Sequence, residues 1–161
     1  DGYRNLARVP KPDLKLFPAS DLFAGVSHLL QDRLAVRGIR LSVSAEPSNL
    51  ELLADPDLIE QVLINLVLNA ADALDGAAGP RVEISASLDE RGRPLIQVRD
   101  KGRGIAPENL DKVFVPFFST KDGGSGIGLS LSRQIMRLHG GSITAASRPG
   151  LETVFTLRFK R

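Results

Sequence analysis

The chain has no cysteine, which excludes a disulfide framework, a thiolate zinc site and a cysteine nucleophile while leaving the compartment open. It also lacks charge excess: the net charge is +2, and part of the surplus sits at the C-terminus in Arg158, Lys160 and Arg161. No strong pull toward nucleic acid or a membrane surface follows, so neither is expected as a direct partner. Long apolar runs are missing too. The most apolar stretch, Val62 to Leu74, is broken by Asn65, Asn69 and Asp72, and nothing at Asp1 resembles a signal peptide. A soluble piece is expected, cut from a longer protein because it starts without Met. Only two histidines occur. His28 has no neighbouring ligand pair and reads as a surface residue; His139 precedes Gly140-Gly141 and reads as a helix C-cap over free carbonyls. Neither stands in the His-Glu context of a phosphoacceptor.

What remains is an ordinary globular composition, 161 residues with 42% hydrophobic and 25% charged, long enough for one domain with its own core. Residues 1–17 start helix-compatible and then meet Pro10 and Pro12, the mark of a linker; the domain proper is drawn at 18–161. Ser20 or Asp21 can cap a helix carrying Leu22, Phe23, Val26, Leu29, Leu30 and Leu34 and ending near Gly38. Ile39, Leu41 and Val43 alternate as a strand, and Leu50 to Ala54 forms another. Pro56 at the first turn opens a helix to about Leu74, capped by Asp55. It is apolar almost all round except for Gln61, Asn65, Asn69 and Asp72, stacked along one line. Buried amides without partners cost about 1–3 kcal/mol each, so this stripe either bonds neighbouring backbone or serves a ligand. Val82, Ile84 and Ala86 pair through a Glu90–Pro94 loop with Leu95, Ile96 and Val98. Ser125 can cap a last helix with Leu129, Leu131, Ile135 and Leu138 on one side, and strands at Ile143 and Val154–Phe159 close the chain.

The chain is organised around Asp100 to Leu131. Asp100, Gly102 and Gly104 follow directly on a strand, so the acid sits where the chain turns, a favoured place for site residues. Gly124, Gly126 and Gly128 precede a helix and leave backbone N–H groups at its N-terminus, an anion site. Two familiar glycine motifs fail. A Walker A loop needs Lys and a hydroxyl residue straight after its last glycine, whereas Lys121 comes first; a dinucleotide fingerprint needs a third glycine, absent after both pairs. Phe114, Phe117 and Phe118 cluster around Pro116, as core or as an anchor for the loop Ser119 to Ser125.

These stretches in their order resemble the catalytic domain of sensor histidine kinases. Asn65-Leu-Val-Leu-Asn69-Ala resembles the N box, Asp100-x-Gly102-x-Gly104 the G1 box, Phe114-Val-Pro-Phe117-Phe118 the F box, and Gly124-x-Gly126-x-Gly128-Leu129 the G2 box. "LARVPKP" resembles the nitrogen-regulation branch. The resemblance implies an α+β fold, a two-layer sandwich of the Bergerat (GHKL) type with a mixed, mostly antiparallel sheet and helices on one face. It implies ATP and Mg²⁺ as cofactors. Asp100 would accept the exocyclic amine of adenine, Gly102 and Gly104 would let backbone approach the base, Ile105 would pack on its face, and Thr153 would reach it through water. Asn69, with support from Asn65, would hold Mg²⁺ through amide oxygen. Lys121, Ser125, Gly126, Ile127, Gly128 and Leu129 would cradle the phosphates beneath a lid anchored by Phe117.

Three positions refine the resemblance. Asn65 replaces the glutamate that activates water in ATP-hydrolysing relatives, which argues for holding ATP without efficient hydrolysis. Asp72 stands where many kinases place a phosphate-binding lysine; it is expected among the nucleotide-binding residues, holding a water or a structural partner, while Lys121 would take the phosphate. Glu152 stands where the last glycine box has glycine. The partners implied are the protein's own dimerisation and histidine-phosphotransfer domain, with residues 1–17 as the end of its second helix, and a response regulator, all cytoplasmic. The alternatives are a GHKL ATPase and an anti-sigma-type serine kinase.

Overall fold

The computed structural model describes residues 9–116, 118 and 128–160. Among them, strands β1 (Lys15–Pro18), β2 (Arg40–Ala45), β3 (Glu51–Ala54), β4 (Arg81–Leu88), β5 (Pro94–Asp100), β6 (Ser142–Arg148) and β7 (Glu152–Arg158) alternate with helices α1 (Ala19–Val36), α2 (Pro56–Ala73) and α3 (Gly128–Leu138). The main sheet runs β2-β4-β5-β7-β6, and β1 and β3 form a separate two-stranded ribbon. Only the β2–β4 pair is parallel. This is the expected mixed, mostly antiparallel sheet.

Strand register sorts the inner face into rows, because residues directly opposite across a ladder point the same way. One row is Ala45, Ala86, Ile96, Leu157 and Ile143; the next is Val43, Ile84, Val98, Phe155 and Ala145. The third row starts apolar with Leu41 and Val82 and then turns polar through Asp100, Thr153 and Ser147. The helices cover this face: α1 packs on β2 and α2, α2 on β4 and β5, and α3 on α2 and β6. Between the layers lie Phe23, Leu30, Leu34, Ile59, Leu63, Leu66 and Met136, all but sealed from water.

Four expectations change. The first helix begins at Ala19 after Pro18 and has no side-chain cap; Ser20 and Asp21 lie inside its first turn, where Ala19 N–H bonds the Leu50 carbonyl instead (2.9 Å). Leu29 is exposed, lying at the margin of the buried stripe. Lys15 to Phe17, drawn as linker, pair in register with β3, so the folded domain starts ahead of position 18. The buried face of α3 is Ser130, Ser132, Ile135 and Met136, with Leu138 largely exposed, because the small serines let α3 pack closely on α2.

The α2 N-terminus fastens several elements. The Asp55 carboxylate accepts from the N–H groups of Asp57 (3.1 Å), Leu58 (3.3 Å) and Asp13 (2.9 Å), while its own N–H donates to His139 Nε2 (3.0 Å). His139 therefore carries its proton on Nδ1 and donates it to the Ile135 carbonyl (2.8 Å), the expected C-terminal bond with an added tie to α2. Burial pushes the Asp55 pKa up, but the three backbone bonds outweigh it and hold the carboxylate below its ordinary 3.8. A depressed folded pKa stabilises at pH above 3.8 and the benefit fades as pH falls through the folded value. Asp55→Ala is expected to lower unfolding free energy by about 1–2 kcal/mol at neutral pH, with the gap to the unsubstituted protein shrinking below pH 3.8. Urea denaturation across pH checks this; a gap independent of pH would contradict a charged cap.

Candidate functional site

Asp100 ends β5 on the polar side of the third row, only 4% exposed, and Thr153 opposite it is 3% exposed. One carboxylate oxygen accepts the Gly102 N–H (2.9 Å), and no other hydrogen bond reaches this carboxylate from the described residues. Burial raises its pKa against the opposing pull of that bond. A desolvated carboxylate so lightly bonded is poised to accept a hydrogen-bond donor from a ligand.

The turn beyond Asp100 is seated on the end of α2. Arg103 N–H donates to the Ala73 carbonyl (3.0 Å), and a β-carbon at Gly102 would overlap that same oxygen. This helix end by itself calls for glycine there. Gly104 has φ of +79°, a left-handed conformation that glycine tolerates best. Ile105 is half-buried against the core, and its N–H donates to Ser147 Oγ (2.9 Å).

The other end of the site is Asn65. Its Nδ2 donates to Ser132 Oγ (3.4 Å), whose own hydroxyl donates to the Gly128 carbonyl (2.9 Å). A β-carbon at Gly128 would meet the Asn65 amide, so a larger residue here would displace that side chain. The first-turn N–H groups of α3, from Gly128 and Leu129 onward, thus open beside an amide side chain. Asn69, half-buried, lies one turn further along α2 toward Ala73. About 12 Å of helix axis separates Asn65 from Ala73, with the N box between the G1 turn and the start of α3.

The model for the family described as histidine kinase-, DNA gyrase B-, and HSP90-like ATPase matches residues 54–161, more than half of the chain. This chain belongs to that family. A sensor histidine kinase ZraS of Escherichia coli K12 is 39% identical over 156 residues, covering 94% of this chain and 33% of its own length. The sensory histidine kinase/phosphatase NtrB of Escherichia coli O157:H7 is 40% identical over 120 residues, covering 70% of this chain and 34% of its own. The chain spans about a third of the length of these curated relatives. The solved catalytic domain of histidine kinase ThkA superposes with a TM-score of 0.80 at 31% identity, covering 91% of this chain and 95% of that one. The domain is therefore of the catalytic, ATP-binding type of sensor histidine kinases, in a GHKL fold.

Against this family pattern, the remaining residues fall into place unevenly. Asp72 pairs with Arg37 of α1 at 3.2 Å, both side chains 39% exposed, so the structural partner expected for it is found. Such a solvated pair contributes little to stability. Glu152 lies 2.8 Å from Arg99 Nε as an ion pair, without the geometry of a hydrogen bond. Phe114 meets Phe155 edge to face at 6.2 Å and carries Arg133 over its ring at 5.8 Å, so this part of the F box is fixed to core and α3. Phe117, Lys121, Ser125, Gly126 and Ile127 lie outside the described residues. One contributor was missed: Ser147, bonded to Thr153 Oγ1 at 2.8 Å.

Because the folded-state pKa of Asp100 is raised above 3.8, the folded domain holds that proton more tightly than the unfolded chain. Stability contributed here falls as pH rises from 3.8 through the raised value and stays lower beyond it. Asp100→Asn, which keeps the acceptor for Gly102, is expected to raise the melting temperature at pH 7 and to lose that advantage toward pH 4. A melting temperature unchanged or lowered at pH 7 would contradict a destabilising charge.

Proposed function

We propose that this domain binds Mg·ATP and passes the γ-phosphoryl group to a histidine on a separate dimerisation domain of its parent, which then serves a response regulator. The observation that carries the proposal is the pairing of a buried Asp100 at one end of the α2 stripe with an amide, Asn65, at the other. Asp100 accepts the exocyclic amine of adenine; guanine, with a carbonyl there, is repelled. Asn69 and Asn65 offer amide oxygens, and among the described residues no group of three His, Cys, Asp or Glu could hold a metal. The amide oxygens suit Mg²⁺, which favours oxygen ligands and arrives with substrate phosphates rather than in a protein cage. When bound, Mg²⁺ neutralises charge on the phosphates.

The α3 N-terminus receives the phosphates, with Lys121, Gly126 and Ile127 assigned to the same task. Asn65 has no basicity to activate water, which supports retention of ATP for transfer over hydrolysis. Transfer then depends on positioning and on electrostatic stabilisation. Residues preceding Lys15 are assigned to the linker from the dimerisation helix. No helix among the described residues is long and apolar enough to cross a membrane.

Two outcomes are expected. Asp100→Ala should weaken ADP binding by about 10- to 150-fold, the worth of a charged hydrogen bond, and Asn69→Ala should remove most of the gain that Mg²⁺ gives; calorimetric titration reads both. With γ-labelled ATP, the domain alone should release phosphate slowly and acquire no label, and adding the parent's dimerisation domain should produce labelled histidine. Rapid phosphate release by the domain alone would favour a GHKL ATPase instead.

A further inference from the structure

Ser147, Thr153 and Asp100 are consecutive in one row across β6, β7 and β5, and their hydroxyl bonds have a direction. Ile105 N–H donates to Ser147 Oγ at 2.9 Å, so that oxygen already serves as an acceptor. The Ser147–Thr153 contact at 2.8 Å admits either donor. If Thr153 donated, the Ser147 proton would have no other acceptor among the described residues, and Thr153 would turn only lone pairs toward the Asp100 carboxylate. If Ser147 donates, both of its bonds are used, and the Thr153 proton is left to point along the row toward Asp100. No hydrogen bond joins Thr153 to Asp100, so this proton is available to a ligand. Each hydroxyl supplies one donor and can accept on its lone pairs, and successive bonds in a buried chain polarise one another.

We propose that Ser147 is a specificity-determining positioning residue: it fixes the Thr153 hydroxyl as a donor beside the Asp100 acceptor, so that the pair reads both groups on the adenine edge. Adenine presents an amine donor next to a ring-nitrogen acceptor, N1. Asp100 takes the amine, and Thr153, oriented by Ser147, donates to N1 directly or through one water. The same Ser147 oxygen holds the Ile105 N–H and so ties the G1 turn to this hydroxyl relay. This rests on the adenine assignment of Asp100.

The test compares ADP with 1-deaza-ADP, which keeps the amine and lacks N1, by calorimetry on the whole chain. The unsubstituted domain is expected to prefer ADP about 5- to 10-fold, the worth of a neutral hydrogen bond. Ser147→Ala should bring the ratio close to one, and Ser147→Thr, which keeps a hydroxyl, should restore it. A purely structural loosening would weaken both nucleotides together and leave the ratio intact. Should the alanine variant fail to fold, Ser147→Cys, close in volume and a weak hydrogen bonder, carries the same expectation. An undiminished ratio in these variants, or no preference in the unsubstituted domain, overturns the role of Ser147 while ADP binding stands. Failure of the unsubstituted domain to bind ADP overturns the adenine assignment itself.

Discussion

A carboxylate buried at the end of a sheet row is the constraint on which this domain turns. Two rows of the inner face are apolar and pack under the helices; the third loses its apolar character at Asp100 and stays polar to the sheet edge. Burial makes that carboxylate costly to the fold, and the hydrogen bond from Gly102 offsets the cost only in part. Such expense is characteristic of a functional position, since an apolar residue would suit the core better there. The surrounding core supplies the stability that lets it persist.

Helix α2 turns this local feature into an extended site. Its apolar sides are sealed against the sheet, α1 and α3, so the polar line through Asn65 and Asn69 is held in one orientation. Its ends are tied down separately: Asp55 caps the start, linked to His139 at the end of α3, and the Ala73 carbonyl receives Arg103 from the turn after Asp100. Gly102 is required by the Ala73 backbone at the end of α2, and Gly128 leaves room for the Asn65 amide. The glycines of the two boxes thus act first as packing devices that bring a base-recognising turn and a helix N-terminus onto one helix.

Much of this was legible in the sequence. Asp55-Pro56 marks the α2 start, the Glu90–Pro94 loop marks a hairpin, and four motifs in order mark the family. What escaped depends on pairings between distant residues. Lys15 to Phe17 form a strand only because β3 lies across from them, and Arg37 meets Asp72 across 35 positions. Ser147 shares the face of Ile143 by strand alternation, but only the β6–β7 register sets it opposite Thr153. The serines of α3 misled for a related reason: leucines looked like the buried face, yet close helix packing selected the smaller side chains. Lys121 and Gly126, assigned by motif alone, lie outside the described residues.

The central claim is that one nucleotide lies along α2 from the G1 turn to the start of α3. Backbone and side-chain amide shifts followed by NMR during titration with ADP, first alone and then with Mg²⁺, test it most directly. The expected result is a response at Gly102, Arg103, Ile105 and Thr153 with ADP, and a further Mg²⁺-dependent response at the Asn65 and Asn69 side-chain amides and at Leu129. Shifts confined to the outer sheet face or to the β1–β3 ribbon, with both ends of α2 silent, would contradict it.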